Sequence, residues 1–284
     1  MSCSIRSSLI VALLALTTSP LQAHFNILLP QSASVKRGET VTVFYRWGHP
    51  FEHQLFDAPA PQSVFAIQPD GRKTDLKETL EKITEPGAEG KNATAYQFRF
   101  TPGERGDFIL GLHTPSIWME EEQEFIKDSV KVVLHVQAQK GWDATTGDDK
   151  MELIPLSRPY GLEPGIVFQA QALGRLESRA DSQPDAERKV DSAIRTSSLP
   201  LPKALVEIER YSSSPPKALP PDEQITRTAK TDPNGVVTCT LTEPGWWCIA
   251  AHRDFGTQER DGKEYPIRQR AIHWVFVDDK PAAK

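Results

Sequence analysis

All seven histidines lie at or beyond residue 24, and four of them, with one glutamate, have types and spacings suited to transition-metal chemistry. His24 follows Ala23 at the end of an export-signal pattern. A cut between them would expose an α-amine beside an imidazole. Amine and imidazole of one residue form a bidentate chelate for copper(II) or nickel(II), and an α-amine sheds its proton more readily than a lysine. A signal peptidase needs some residue after Ala23, so position alone reads equally well as incidental.

The second cluster is Gly48-His49-Pro50-Phe51-Glu52-His53. Its two imidazoles are four residues apart, and Glu52 between them offers oxygen beside nitrogen. The HxxEH spacing is also that of an inverted zinc-protease motif, but that motif needs one helix face. Pro50 and the β-rich segment before it argue for a loop, where the same residues could equally form a solvated turn. His113 ends an apolar segment before Thr114-Pro115 and reads either as a further ligand or as a strand cap. His135, His252 and His273 read as structural, with His252 the better ligand of the second half. The acidic run Glu120–Glu124 reads as a solvated face or a weak cation funnel. No phosphate-binding glycine loop or GxSxG elbow is present, and Asp254-Phe255-Gly256 stands without any companion kinase motif.

The elements that must position these groups are strands. Val41–Trp47, Val64–Ile67, Tyr96–Phe100, Asp107–His113 and Val130–Val136 are β-rich and separated by turns such as Pro69-Asp70-Gly71 and Pro102-Gly103. Asp75–Ile83 fits a short helix or an irregular strand. A polar stretch at 138–150 divides this half from a second set, Glu152–Pro155, Ile166–Ala172, Ala204–Glu209, Val236–Leu241, Trp246–Ala251 and Ala271–Val277. The expected class is all-β: two tandem antiparallel β-sandwich domains, immunoglobulin-like or transthyretin-like, at 24–137 and 151–284. Residues 177–198 form a polar insertion without apolar period.

Residues 1–23 carry Arg6, an apolar core at Leu9–Leu16 and small Ala23, the order of a cleaved secretory signal. The expected location is the periplasm. No later segment is apolar and long enough to span a bilayer, so no stable membrane insertion is expected. The 284-residue chain has a formal net charge of −5, which argues against nucleic acid as a partner. Cys239 and Cys248 flank Glu243-Pro244; a hairpin there would set them opposite one another for a disulfide bond.

Several segments together resemble a bacterial periplasmic family of unknown function described as the nickel uptake substrate-specific region. They are the Ala23-His24 junction, Gly48–Glu52 with Phe56-Asp57-Ala58 after it, the Pro200–Glu207 strand, the Asp232–Gly235 turn and Pro244-Gly245-Trp246. That family includes accessory components of energy-coupling-factor nickel and cobalt transporters. The resemblance implies a Ni(II)- or Co(II)-binding protein that works with subunits of a membrane transporter complex, with His24, His49 and Glu52 in the site. His53 and His113 are added from spacing and position. Two other readings stay open: a copper carrier or histidine-brace copper oxidase using His24 and His113, and an adhesion or scaffold module without metal.

Overall fold

The computed structural model describes residues 24–147, 149–175 and 198–279. The signal segment, and all of the 177–198 insertion but its last residue, lie outside them. In chain order the strands of the first half are β1 (Phe25–Pro30), β2 (Val41–His49), β3 (Gln54–Phe56), β4 (Ser63–Ile67), β5 (Lys73–Asp75), β6 (Glu81–Pro86), β7 (Asn92–Phe100), β8 (Gly106–His113), β9 (Ile117–Met119) and β10 (Glu124–Val136). Those of the second are β11 (Met151–Pro155), β12 (Ile166–Arg175), β13 (Ser198–Pro200), β14 (Leu205–Arg210), β15 (Arg227–Lys230), β16 (Val236–Leu241), β17 (Gly245–Arg260) and β18 (Lys263–Val277). Among the described residues one short helix, α1 (Asp222–Ile225), and two 3-10 turns accompany them. The undecided segment 75–83 resolves into the end of β5, a 3-10 turn at Lys77–Thr79 and the start of β6.

The all-β class is observed. The layering is less simple than two separate sandwiches. A nine-stranded sheet in the order β15-β14-β17-β18-β10-β8-β4-β5, with β9 on β10, runs through both halves. The seam is the parallel pairing of β10 with β18, from Phe125↔Ile267 to Val132↔Trp274. One flanking sheet is β1-β2-β7-β6 with β3; the other is β11-β12-β13 with β16.

Side-chain alternation explains why β17 and β18 sit in the middle. Strand neighbours point to opposite faces, and here both faces are apolar. Cys248, Ala250, Ile272 and Trp274 join the core shared with β1, β2 and β7. Trp247, Ile249, Ala251, Ala271 and Val275 join the core shared with β11, β12 and β16. Doubly covered strands read as unbroken apolar runs, as in β17. In β2 the alternation is plain, since Val41, Val43, Tyr45 and Trp47 are buried between half-exposed neighbours. The 138–150 stretch is not a bare spacer: Trp142 and Ala144 pack with Tyr160 on Phe65, Ile67, Ile109 and Val133. Lys131 of β10 also reaches the second half, its Nζ 2.7 Å from Glu152 Oε1 on β11.

This layering removes the expected disulfide. Cys239 and Cys248 are both free thiols. β16 pairs with β12, with Cys239 opposite Phe168. β17 pairs with β14 and β18, with Cys248 opposite Glu209 and Trp274. Glu243-Pro244 therefore carries the chain from one sheet to another, and the two thiols enter different cores. Burial pushes the Cys239 thiol up to about 11. Among the described residues no helix is long and apolar enough to cross a membrane.

Candidate metal centre

The β1–β2 ladder determines which histidines meet. Phe25 pairs with Gly48 and Asn26 with Trp47, so the same register sets His24 opposite His49. Directly opposed residues of an antiparallel pair bring their Cβ atoms to about 4.5–5.5 Å. The two imidazole centroids are 4.3 Å apart. Trp47 stacks on His24 at 5.5 Å, and Phe56 lies 5.2 Å from His24 and 5.3 Å from His49. The pair thus sits against an aromatic wall built by the β2–β3 hairpin. That hairpin needs Gly48, whose φ is +153° and where a Cβ would fall 2.0 Å from the Gln54 carbonyl oxygen.

His49 is 3 % exposed. Its Nδ1 lies 3.2 Å from Gln54 Oε1. An amide oxygen only accepts, so Nδ1–H donates and Nε2 keeps its lone pair. Nε2 is buried without a hydrogen-bond partner. Buried polar atoms are nearly always paired, and a buried, unpartnered imidazole nitrogen on a ring packed against a second imidazole suits a metal ligand.

His24 is held by the far end of the chain. Arg270, on β18, donates from Nη1 to the His24 carbonyl at 2.8 Å. The same guanidinium grips Asp128 through Nε at 2.8 Å and Nη2 at 2.6 Å. Asn26 Nδ2 donates to Asp128 at 2.6 Å, Tyr45 hydroxyl donates to Asn26 at 2.7 Å, and Trp274 Nε1 donates to the Asn26 carbonyl at 3.0 Å. Burial, reinforced by the Asp128 charge, pushes the Tyr45 phenol well up. Removing one member of such a buried charge pair costs about 3–5 kcal/mol. No sequence pattern flags Arg270 or Asp128, because their partners lie more than a hundred residues away in the chain.

Beside His24 opens a cavity of about 360 Å³ lined also by Met119, Glu122, Glu124, Glu207, His252 and Arg268. His252 Nε2 lies 2.9 Å from Glu207. Burial would raise the Glu207 carboxyl, but His252, Arg270 and Arg268 hold it below its ordinary value. Arg268 is bound to Glu124 at 2.9 Å.

The other expected ligands are engaged elsewhere. His53 adopts φ +55° to close the β2–β3 turn, and its Nδ1–H donates to the Ser212 carbonyl at 2.8 Å. Glu52 is buried near Glu209, whose carboxyl is pushed up to about 8 by burial, with Glu52 adding to the effect. His113 sits between Ser63 and Asp149. Among the described residues no group of three or more His, Cys, Asp or Glu side chains gathers as a metal cage. Of the five predicted ligands, the structure joins His24 and His49. His135 bonds Asp107 at 2.7 Å, and burial followed by the nearby Lys131 charge lowers His273 to about 3.

Residues 21–193 match the family model described as Domain of unknown function (DUF4198), which is more than half of the chain. The chain belongs to this family. No curated protein matches this DUF4198 member. Among solved structures, trypsin-activated alpha-2-macroglobulin from Escherichia coli aligns at 13% identity and TM-score 0.23, over 92% of this chain and 16% of that one. A DUF4785 family protein from Legionella pneumophila aligns at 11% identity and TM-score 0.26, over 90% of this chain and 56% of that one. The human OSCAR ligand-binding domain aligns at 15% identity and TM-score 0.19, over 89% of this chain and 97% of that one. The DUF4198 chain therefore spans about a sixth of the macroglobulin, and at these scores the alignments say nothing of function.

Proposed function

We propose that this chain is a periplasmic transition-metal-binding protein that captures Ni(II) or Co(II) after signal cleavage at His24 and passes it to a membrane transporter complex. The observation that carries this reading is the His24–His49 pair, its imidazole centroids 4.3 Å apart, together with the buried His49 Nε2 that has no hydrogen-bond partner. Cleavage before His24 would add its α-amine, giving three nitrogen donors from two residues. A three-nitrogen set with room for further ligands suits square-planar or tetragonal Ni(II) and Cu(II) better than a closed tetrahedral Zn(II) site. The cavity beside His24 leaves one side of the centre open, as release to a transporter requires. In architectural terms we read the fold as two sandwich modules sharing their middle sheet, the second holding His24 through Arg270.

Copper is the second reading, and one observation favours it. An N-terminal histidine paired with a single further imidazole is the donor set of a histidine brace, although the partner is His49 instead of His113. Copper(II) outcompetes nickel(II) at most nitrogen sites, so cellular supply would decide occupancy.

The test is titration of the chain beginning at His24 with Ni(II), Co(II) and Cu(II), beside a version with one extra alanine in front. The extension and His49→Ala should each weaken binding of the preferred metal at least about tenfold, a loss of about 1.4 kcal/mol. If neither changes affinity, the N-terminal chelate is wrong and a metal-free scaffold role stands in its place.

A further inference from the structure

On the face of the central sheet turned away from the metal pair, three residues form a hydrogen-bonded chain that the metal reading does not use. Ser63 opens β4 and is the cross-strand partner of His113, the last residue of β8. Ser63 Oγ lies 2.7 Å from His113 Nδ1. The opposite ring nitrogen, Nε2, bonds Asp149 Oδ1, and the Asp149 side chain is 4% exposed. The Phe65 ring packs on the imidazole at 5.2 Å and fixes its plane. All three polar residues line a second cavity of about 350 Å³, with Lys127, Lys150 and Gln269.

We infer that Ser63, His113 and Asp149 form a nucleophile–base–orienter site for hydrolysis of small carboxylic esters that carry a negative charge. The chemistry follows from which nitrogen holds the proton. Burial would raise the Asp149 carboxyl, but His113, Thr146 and Lys131 hold it below the usual carboxylate range, so it is ionised and only accepts. His113 Nε2 therefore carries the hydrogen, Nδ1 carries the lone pair, and the Ser63 hydroxyl donates to it. That is the activated-serine arrangement, recognised by geometry and not by chain order.

In the reaction Ser63 Oγ bonds to the ester carbonyl carbon as its proton passes to His113 Nδ1. The alkoxy C–O bond then breaks, and the alcohol leaves with that proton. Water attacks the acyl-serine, its proton going to Nδ1; the Oγ–acyl bond breaks and the proton returns to Ser63. The net change is ester plus water to acid plus alcohol. Asp128 also lines the cavity but is neutralised by Arg270, so Lys127 and Lys150 place positive charge along it, favouring an anionic substrate and the charge that develops on its carbonyl oxygen.

The test treats the full mature chain with a fluorophosphonate probe and maps the adduct by peptide mass. The native chain should label at Ser63. His113→Gln should slow labelling at least about 100-fold, the lower end of what a general base contributes. A nitrophenyl ester bearing a carboxylate should be hydrolysed by the native chain and not by Ser63→Ala, with matching thermal midpoints showing both folded. Absence of a Ser63 adduct on the native chain, or undiminished labelling of folded His113→Gln, overturns the inference. The native-chain measurement decides even where a variant misfolds.

Discussion

The hydrogen bond from His49 Nδ1 to Gln54 Oε1 decides which nitrogen of the imidazole carries the proton. Without that acceptor the ring is free to carry its proton on Nε2, where it would block a metal. Gln54→Leu keeps the approximate volume and removes the acceptor. We expect metal affinity to fall about 10- to 100-fold, as for other supporting contacts to ligand histidines, with the thermal midpoint of the metal-free protein changing little. Titration with the metal and a melting curve separate the two effects. His24 and His49 were legible as candidates because a histidine after a signal-like segment and a histidine after a β-rich run are unusual placements. Glu52, His53 and His113 shared the same chemistry on paper. What separated them was turn geometry and the reach of Ser212 and Asp149, which depend on tertiary structure.

Strands and their alternation were visible in the sequence; pairing register and layer were not. Nothing local states that residue 24 lies opposite residue 49, since that follows from a ladder running from Phe25↔Gly48 to Pro30↔Val43. Gly48 is where the ladder and the hairpin meet. Gly48→Ala would press a Cβ onto the Gln54 carbonyl at a backbone angle that side chains resist. The cost should be about 1–3 kcal/mol, read as a lower unfolding midpoint, and metal binding should weaken as His49 shifts. The cysteines teach a related lesson. A Pro-Gly turn between two β-rich segments looks like a hairpin, yet here it passes the chain between sheets because β17 is apolar on both faces and must be covered twice. Thiol titration of the unfolded chain from residue 24 onward, prepared without reductant, should therefore find both Cys239 and Cys248 reactive, and reductant should leave the melting temperature unchanged. A reductant-dependent midpoint would contradict the layering.

At the scale of the whole molecule, two buried groups at the join of the layers make stability depend on pH in opposite directions. His273 is depressed from 6.5 to about 3, foremost by burial, so the folded state keeps it neutral while the unfolded chain takes up a proton. Its contribution is complete above pH 6.5 and is lost as pH falls towards 3, because the unfolded state then binds more protons. Glu209 is raised from 4.5 to about 8, again chiefly by burial, so the folded state holds a proton the unfolded chain releases. Its contribution is complete below pH 4.5 and is lost as pH rises towards 8. Each slope is limited to about 1.4 kcal/mol per pH unit. Between pH 4.5 and 6.5 the two oppose each other, giving a flat region; from 6.5 to 8 Glu209 tilts stability downward while His273 no longer opposes it. Glu209→Gln keeps the shape: its Oε1 can accept from the Phe51 amide and its Nε2–H can donate to the Thr226 hydroxyl, the groups that bond the carboxyl at 3.0 and 2.5 Å. It should abolish the decline above pH 6.5 and leave the acid side untouched, as urea unfolding of metal-free protein at half-unit pH steps would record. An unchanged decline in that variant would place the alkaline sensitivity in other groups and remove Glu209 as the buried acid that the stacked sheets keep protonated.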